Sequence, residues 1–203
     1  MRTQKEEMLA GRAFHQFDPE LTAERERCNT AVWRFNNSMN PANGMGKDER
    51  HRLFKSIIQP TEPTTFSGNQ PPTQGYLPET GVEVKAPFTC TYGYNIHIGK
   101  DVLIEDSCRI MDCAKVTIGD RCVIGPNVSL LTQTLPLDPK KRNGSKGPSY
   151  GKGITIEDDC WIGANVTILA GLKVGRGSTI GANSVVTAVC IPFLSSLISV
   201  CLS

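Results

Sequence analysis

The sequence contains no unbroken apolar run that reaches the roughly 18 residues a membrane-crossing helix needs. It has little excess charge either. Its 22 Lys and Arg against 20 Asp and Glu leave a formal net charge of +2, too small to point to nucleic acid or to a membrane surface. The opening residues Met1-Arg2-Thr3-Gln4-Lys5-Glu6-Glu7 carry acids and no apolar stretch, so a secretory leader is not expected and a cytoplasmic setting is. Eight cysteines are present but no pair is spaced as Cys-x-x-Cys. Cys108, Cys122 and Cys160 fall where the repeat described below wants small apolar residues, and buried free thiols behave as small hydrophobes. A disulfide framework is therefore not expected.

What is present divides at about residue 60. Residues 1–60 read as a small helical cap. Glu6-Glu7-Met8-Leu9-Ala10 forms a short helix stopped by Gly11. Asp18-Pro19-Glu20-Leu21 opens a second, with Asp18 as N-cap and Pro19 in the first helical position. A third, from Lys47 to Gln59, sets Leu53, Ile57 and Ile58 on one side. Residues 61–80 are rich in Pro, Thr, Gly and Gln and read as a linker.

From Gly81 a period of six takes over. Aliphatic residues recur at Ile156, Ile162, Ile168, Val174, Ile180 and Val186. The same period runs through Ile98, Ile104 and Ile110, then resumes two residues late at Ile118, Ile124 and Leu130. Neither a helix (3.6) nor a flat strand (2) repeats every six. A short strand and a turn do, with three such units closing one triangular coil. The aliphatic side chain points inward, and Gly-Asp, Gly-Pro-Asn and Gly-Ala-Asn take the corners, where positive φ is often needed. The repeat stops at Leu130 and restarts at Ile154, so residues 132–153 are expected to leave the coil as a loop. The expected fold is mainly β, a parallel β-helix of hexapeptide repeats over residues 81–187.

Several segments together resemble the maltose and galactoside O-acetyltransferase family. In the cap they are Met8-Leu9-Ala10-Gly11, Asp18-Pro19-Glu20-Leu21 and Arg34-Phe35-Asn36. In the repeat they are Tyr92-Gly93-Tyr94-Asn95-Ile96-His97-Ile98-Gly99, Val116-Thr117-Ile118-Gly119-Asp120, Ile124-Gly125-Pro126-Asn127-Val128 and Trp161-Ile162-Gly163-Ala164. The resemblance spans Lys5 to Thr187. It implies a left-handed β-helix, a homotrimer, acetyl-CoA as co-substrate, a hydroxylated acceptor such as a sugar, no metal, and sites in clefts between subunits.

It also implies positions for the chemistry. Acetyl transfer needs a base for the hydroxyl proton and donors for the tetrahedral oxyanion. The family's base is a histidine in the extruded loop, within Thr-x-His-Pro. The matching residues here are Thr134-Leu135-Pro136, so Leu135 stands at the position of the base. Glu105 replaces an acceptor-contacting asparagine and is either a substitute base or a solvated corner. Arg25, Thr91 and Asp112 match acceptor-binding positions. Ala164, Ala182, Trp161 and Thr187 match positions along the coenzyme. Lys140, Lys141, Arg142, Lys146 and Lys152 crowd the loop, either to meet coenzyme phosphates or simply as a solvated basic segment. The resemblance thus implies an O-acetyltransferase altered at Leu135. The alternative is a non-catalytic trimeric module that binds CoA or serves assembly.

The last stretch, residues 188–203, loses all charge and fills with Phe, Leu, Ser, Cys and Val. Two readings fit it: translated intron sequence, or an apolar plug over the open end of the solenoid, where unpaired backbone would otherwise invite association.

Overall fold

The computed structural model describes residues 2–38, 45–60, 75–189 and 195–196. Most of the linker expected over 61–80, and most of the tail over 188–203, lie outside the described residues.

Three helices form the cap: α1 (Gln4–Leu9), α2 (Pro19–Asn37) and α3 (Lys47–Ile58). Thr3 and Glu6 close a reciprocal capping box on α1. Asp18 caps α2, accepting from the Glu20 N–H at 3.0 Å. The buried residues of α2 are Leu21, Glu24, Cys28, Val32 and Phe35, spaced three and four apart as one helical face requires. That face joins the cap to the solenoid. Phe54 sits between Phe35 and Phe88 with both ring centroids 5.3 Å away, so rings from α2, α3 and the first coil make one cluster.

The solenoid is a triangular prism of parallel strands. Its first face stacks β1 (Val82–Val84), β4 (Val102–Ile104), β7 (Val123–Ile124), β12 (Trp161–Ile162), β15 (Thr179–Ile180) and β17 (Ser195–Ser196). Its second face stacks β2 (Phe88–Cys90), β5 (Cys108–Met111), β8 (Ser129–Leu131), β13 (Thr167–Ile168) and β16 (Val185–Val186). Its third face holds β3 (Ile96–Ile98), β6 (Val116–Ile118), β11 (Ile154–Ile156) and β14 (Lys173–Val174). Register keeps like over like. Ile104 pairs with Ile124, Ile124 with Ile162 and Ile162 with Ile180, and each is at most 2% exposed. Each such side chain contributes about 1.5–3 kcal/mol by leaving water. Cys108, Cys122 and Cys160 are buried in the same core. The six cysteines among the described residues, these three with Cys28, Cys90 and Cys113, are all free thiols.

The three corners differ, and the difference places the site. The first corner, after the first face, is tight and nearly bare: residues 105–107, 125–127, 163–165 and 181–183. Its third residue is left-handed each time, at Ser107, Asn127, Asn165 and Asn183. Asparagine tolerates that conformation, and the three amides also form a ladder, Asn127 donating to Asn165 (2.8 Å) and Asn165 to Asn183 (3.0 Å). Gly163 is required there for another reason. A Cβ on it would stand 2.7 Å from the Ala182 backbone nitrogen. The corner after the third face carries ion pairs, such as the two-pronged Arg121–Asp159 contact.

The corner after the second face is irregular in nearly every coil. Residues 91–95 and 112–115 are longer than the other turns, which accounts for the two-residue slip in the repeat. At the next coil the same corner extrudes residues 132–153. The loop leaves through β9 (Gln133–Thr134), turns through the short helix α4 (Pro139–Arg142), and returns through β10 (Tyr150–Gly151), which pairs antiparallel with β9. The cap packs on this corner too.

Candidate active site

The irregular corner is organised by one carboxylate. Asp112 is fully buried and accepts backbone N–H groups from Thr91 (2.9 Å), Tyr92 (2.8 Å) and Gly93 (2.8 Å). Burial pushes its pKa up from 3.8 to about 6, against the downward pull of those N–H donors. Both carboxylate oxygens are thereby engaged inside the turn. In a single chain Asp112 shapes the corner rather than lying open on its surface.

The turn it holds presents Tyr92 to the cap. Arg25 of α2 donates to the Tyr92 hydroxyl at 3.1 Å, to the Gln16 carbonyl at 2.5 Å and to the Thr22 hydroxyl at 3.0 Å. Arg27 donates to the Tyr92 carbonyl at 2.6 Å. Next to them lies a buried ionic knot. Glu24 takes an ion pair from Lys5 and a hydrogen bond from the Tyr94 hydroxyl, and the Lys5 ammonium sits 4.9 Å from the centre of the Tyr94 ring. Burial and the Glu24 charge drive the Tyr94 hydroxyl well above its ordinary pKa, so it stays a donor.

Between cap and loop runs a seam that the sequence did not announce. Phe14 and Ser149 exchange two backbone hydrogen bonds, at 3.0 and 2.9 Å. The Gln133 amide donates to the Gln16 side chain and to the Ser149 hydroxyl, both at 2.9 Å. Buried Thr132 accepts from the Ala114 N–H at 3.1 Å and anchors the start of the loop. Leu135 follows directly after β9 and is 47% exposed. The residues at the irregular corner in one chain are therefore Arg25, Thr91, Asp112 and Leu135, with Thr187 lower on the same edge.

The remaining positions stand elsewhere. Glu105 belongs to the first corner and is paired with Lys85 at 2.7 Å, so within one chain it does not meet Leu135. Ala164 and Ala182 lie below it on that corner, joined by Gly125 N–H to Ile162 carbonyl (2.8 Å) and Gly163 N–H to Ile180 carbonyl (2.9 Å) bonds. With glycine and alanine in successive coils, this corner is a strip of nearly naked backbone. Trp161, 57% exposed, stands beside it on the first face, directly over Val123, itself 38% exposed. The structure thus brings the named residues together as two groups on two different edges. Gln133, Gln16 and Ser149 carry no site signal in the sequence, and Tyr92 stands there only as the first residue of the Tyr92–Gly99 segment.

Comparison with known proteins identifies the family. The family model for the maltose acetyltransferase hexapeptide capping motif matches residues 7–62, and that for the bacterial transferase hexapeptide (six repeats) matches residues 153–188. A relative in Schizosaccharomyces pombe, named as a candidate acetyltransferase, is 35% identical over 182 residues, covering 90% of this chain and 81% of that one. The chain belongs to the maltose and galactoside acetyltransferase family. Among solved structures, a maltose O-acetyltransferase from Clostridium difficile is 31% identical, with a TM-score of 0.78 over 94% of this chain and 90% of its own. A galactoside acetyltransferase in complex with coenzyme A is 30% identical, with the same TM-score over 95% of this chain and 84% of its own. No helix among the described residues is long and apolar enough to cross a membrane.

Proposed function

We propose that this protein transfers the acetyl group of acetyl-CoA to a hydroxyl of a sugar or a similar small acceptor, and does so as a homotrimer. The observation that carries the reading is the irregular corner, where cap, Asp112 turn and extruded loop meet around Arg25 and Tyr92. Family membership across nine-tenths of the chain supports the reaction class. The relative that was solved with coenzyme A supports the co-substrate.

The two edges receive different ligands in this reading. The bare first corner takes the pantetheine arm, because Gly163, Ala164 and Ala182 let a thin ligand approach the backbone, and Trp161 packs along it. The irregular corner takes the acceptor, with Arg25 as a hydrogen-bond donor to its hydroxyls. The two corners lie on different edges of a rigid prism, so the acceptor of one chain meets the coenzyme on the edge of its neighbour. The exposed column Val123 and Trp161 supplies apolar surface for that association. Leu135 has no lone pair, so the proton-accepting function of the loop position is missing and the rate through that route is low.

The test measures acetyl-CoA consumption with a panel of sugars for the protein and for Leu135→His. Under this reading the substitution raises the rate by about 10²–10⁴. If neither protein consumes acetyl-CoA while coenzyme A still binds, the fold serves as a binding or assembly module instead, which an aliphatic side chain at the base position would favour.

A further inference from the structure

Lys47, Arg50, His51 and Phe54 stand at positions i, i+3, i+4 and i+7 of α3 and therefore share one face of the helix. That face turns toward β1, and a cavity of about 120 Å³ lies between the two elements. Its apolar lining comes from Phe35 and Phe54, both buried, and from Val82 and Val84, both half-buried. Its polar lining on the helix side is Lys47, Arg50 and His51. Among the described residues Glu83 is the one acid in the lining. It is exposed and, standing between the two valines, projects from the opposite side of the strand.

The Nε2 atom of His51 is buried and, among the described residues, has no hydrogen-bond partner. A buried polar atom left unmatched is costly, and folded proteins rarely keep one without a water or a ligand against it. Arg27 Nε shares that condition, but its guanidinium already donates to the Tyr92 carbonyl at 2.6 Å. The cations beside His51 also lack a carboxylate. Of the four Lys and Arg of α3, Arg52 pairs with Glu49 at 3.3 Å and Lys55 with Glu79 at 2.6 Å, and none of these four side chains lines the cavity. Lys47 and Arg50, which do line it, form no ion pair among the described residues. Arg50 donates to the Met45 carbonyl at 2.8 Å, which leaves its positive charge unneutralised. One end of the cavity is thus cationic with a spare ring nitrogen, and the other is aromatic and valine carbon.

We propose that this cavity binds a small carboxylate with a short apolar tail. The His51 Nε2–H donates to the carboxylate, Lys47 and Arg50 neutralise it, and the tail lies on Phe35, Phe54, Val82 and Val84. At about 30 Å³ per water the space suits about four waters, or one molecule of the bulk of butyrate. Inorganic phosphate would satisfy the cations and leave the apolar wall uncovered. The proposal does not rest on the acetyl-transfer reading, since no residue assigned to either edge of that site lines this cavity.

The experiment titrates sodium butyrate into the full-length protein carrying ring-¹⁵N histidine, with sodium chloride holding ionic strength constant. Nuclear magnetic resonance follows the three imidazoles, and calorimetry measures affinity. The His51 ring signals should move saturably while those of His15 and His97 stay, with a Kd of about 1–10 mM for a ligand of so few atoms. His51→Phe should weaken binding by about 10–100-fold, as loss of a hydrogen bond to a charged group requires. Lys47→Ala, at an exposed position that folding does not need, should weaken it by about two- to fivefold and carries the test if His51→Phe does not fold. Absence of any saturable movement of His51 up to about 100 mM butyrate overturns the proposal, as does unchanged affinity in Lys47→Ala. Equal binding of butyramide, which has the same shape without the charge, overturns the anion assignment. Displacement of butyrate by an equal concentration of inorganic phosphate overturns the role of the apolar wall.

Discussion

The Asp112 turn yields a stability prediction whose sign and size both follow from the structure. Burial raises the folded-state pKa from 3.8 to about 6. The folded protein therefore holds this proton more tightly than the unfolded chain does. The stability so contributed is fully present below the unfolded value, declines as pH rises from about 4 to about 6, and is gone above that. A rise of that size corresponds to about 3 kcal/mol, at roughly 1.36 kcal/mol per pH unit. Asp112→Asn cannot titrate. Its constant offset from wild type reflects a side-chain amide facing backbone N–H donors, and only the pH-dependent part is predicted. Urea unfolding of both proteins at several pH values, followed by far-ultraviolet circular dichroism, measures that part. Wild-type stability relative to the variant should fall by about 2–3 kcal/mol between pH 4 and pH 7. Glu7, Glu79, Glu157 and Asp159 are held low by Arg12, Lys55, Lys173 and Arg121, and they cancel because both proteins carry them. A difference that stays flat, or that grows with pH, would refute the claim that burial outweighs the backbone donors at Asp112.

Three further outcomes test the packing that positions the two edges. Gly163→Ala forces a Cβ against the Ala182 backbone nitrogen and should cost about 1–3 kcal/mol in a thermal melt. Ile162→Ala empties a fully buried coil position and should cost about 2–5 kcal/mol by chemical unfolding. Glu24→Gln strands the Lys5 charge in a site where the two side chains are 11% and 1% exposed. It should cost about 3–5 kcal/mol, and the Lys5→Met/Glu24→Leu double variant should recover most of that loss.

The coils were legible in the sequence because their inward position accepts little but an aliphatic side chain. Ile104, Ile124, Ile162 and Ile180 therefore repeat visibly although the turns between them vary. Even the two-residue slip between Ile110 and Ile118 could be read, and the structure explains it by a longer second-face corner. The loop followed from the gap between Leu130 and Ile154. The seam did not follow from anything, because Phe14 and Ser149 meet through backbone atoms that leave no side-chain signature. The Lys85–Glu105 pair is encoded in the coil length. Coils in that region are 20 residues long, as Ile98 to Ile118 shows, so Lys85 had to fall over Glu105. The role of Asp112 inside its turn was hidden for another reason: an acid that caps backbone donors and an acid that binds a ligand are the same letter.

The separation of the two edges has a consequence for assembly that the coils themselves enforce. Strands on all three faces are hydrogen-bonded in register from coil to coil, so neither edge can swing toward the other without breaking a ladder of backbone bonds. Under the proposed function, a reaction that joins the bare corner to the irregular one then takes place between two chains rather than across one. The same proposal gives each chain two half-sites and leaves the whole site to the assembly. Specific activity should accordingly fall on dilution as the assembly dissociates, while the coil content seen by far-ultraviolet circular dichroism persists, because the core of Ile104, Ile124, Ile162 and Ile180 lies within each chain. Enzymatic rate per chain and sedimentation velocity over the same concentration series measure the two together. Activity per chain that stays constant through dissociation to monomers would mean that one prism closes the site alone. The division of labour between the Trp161 edge and the Arg25 edge would then be wrong.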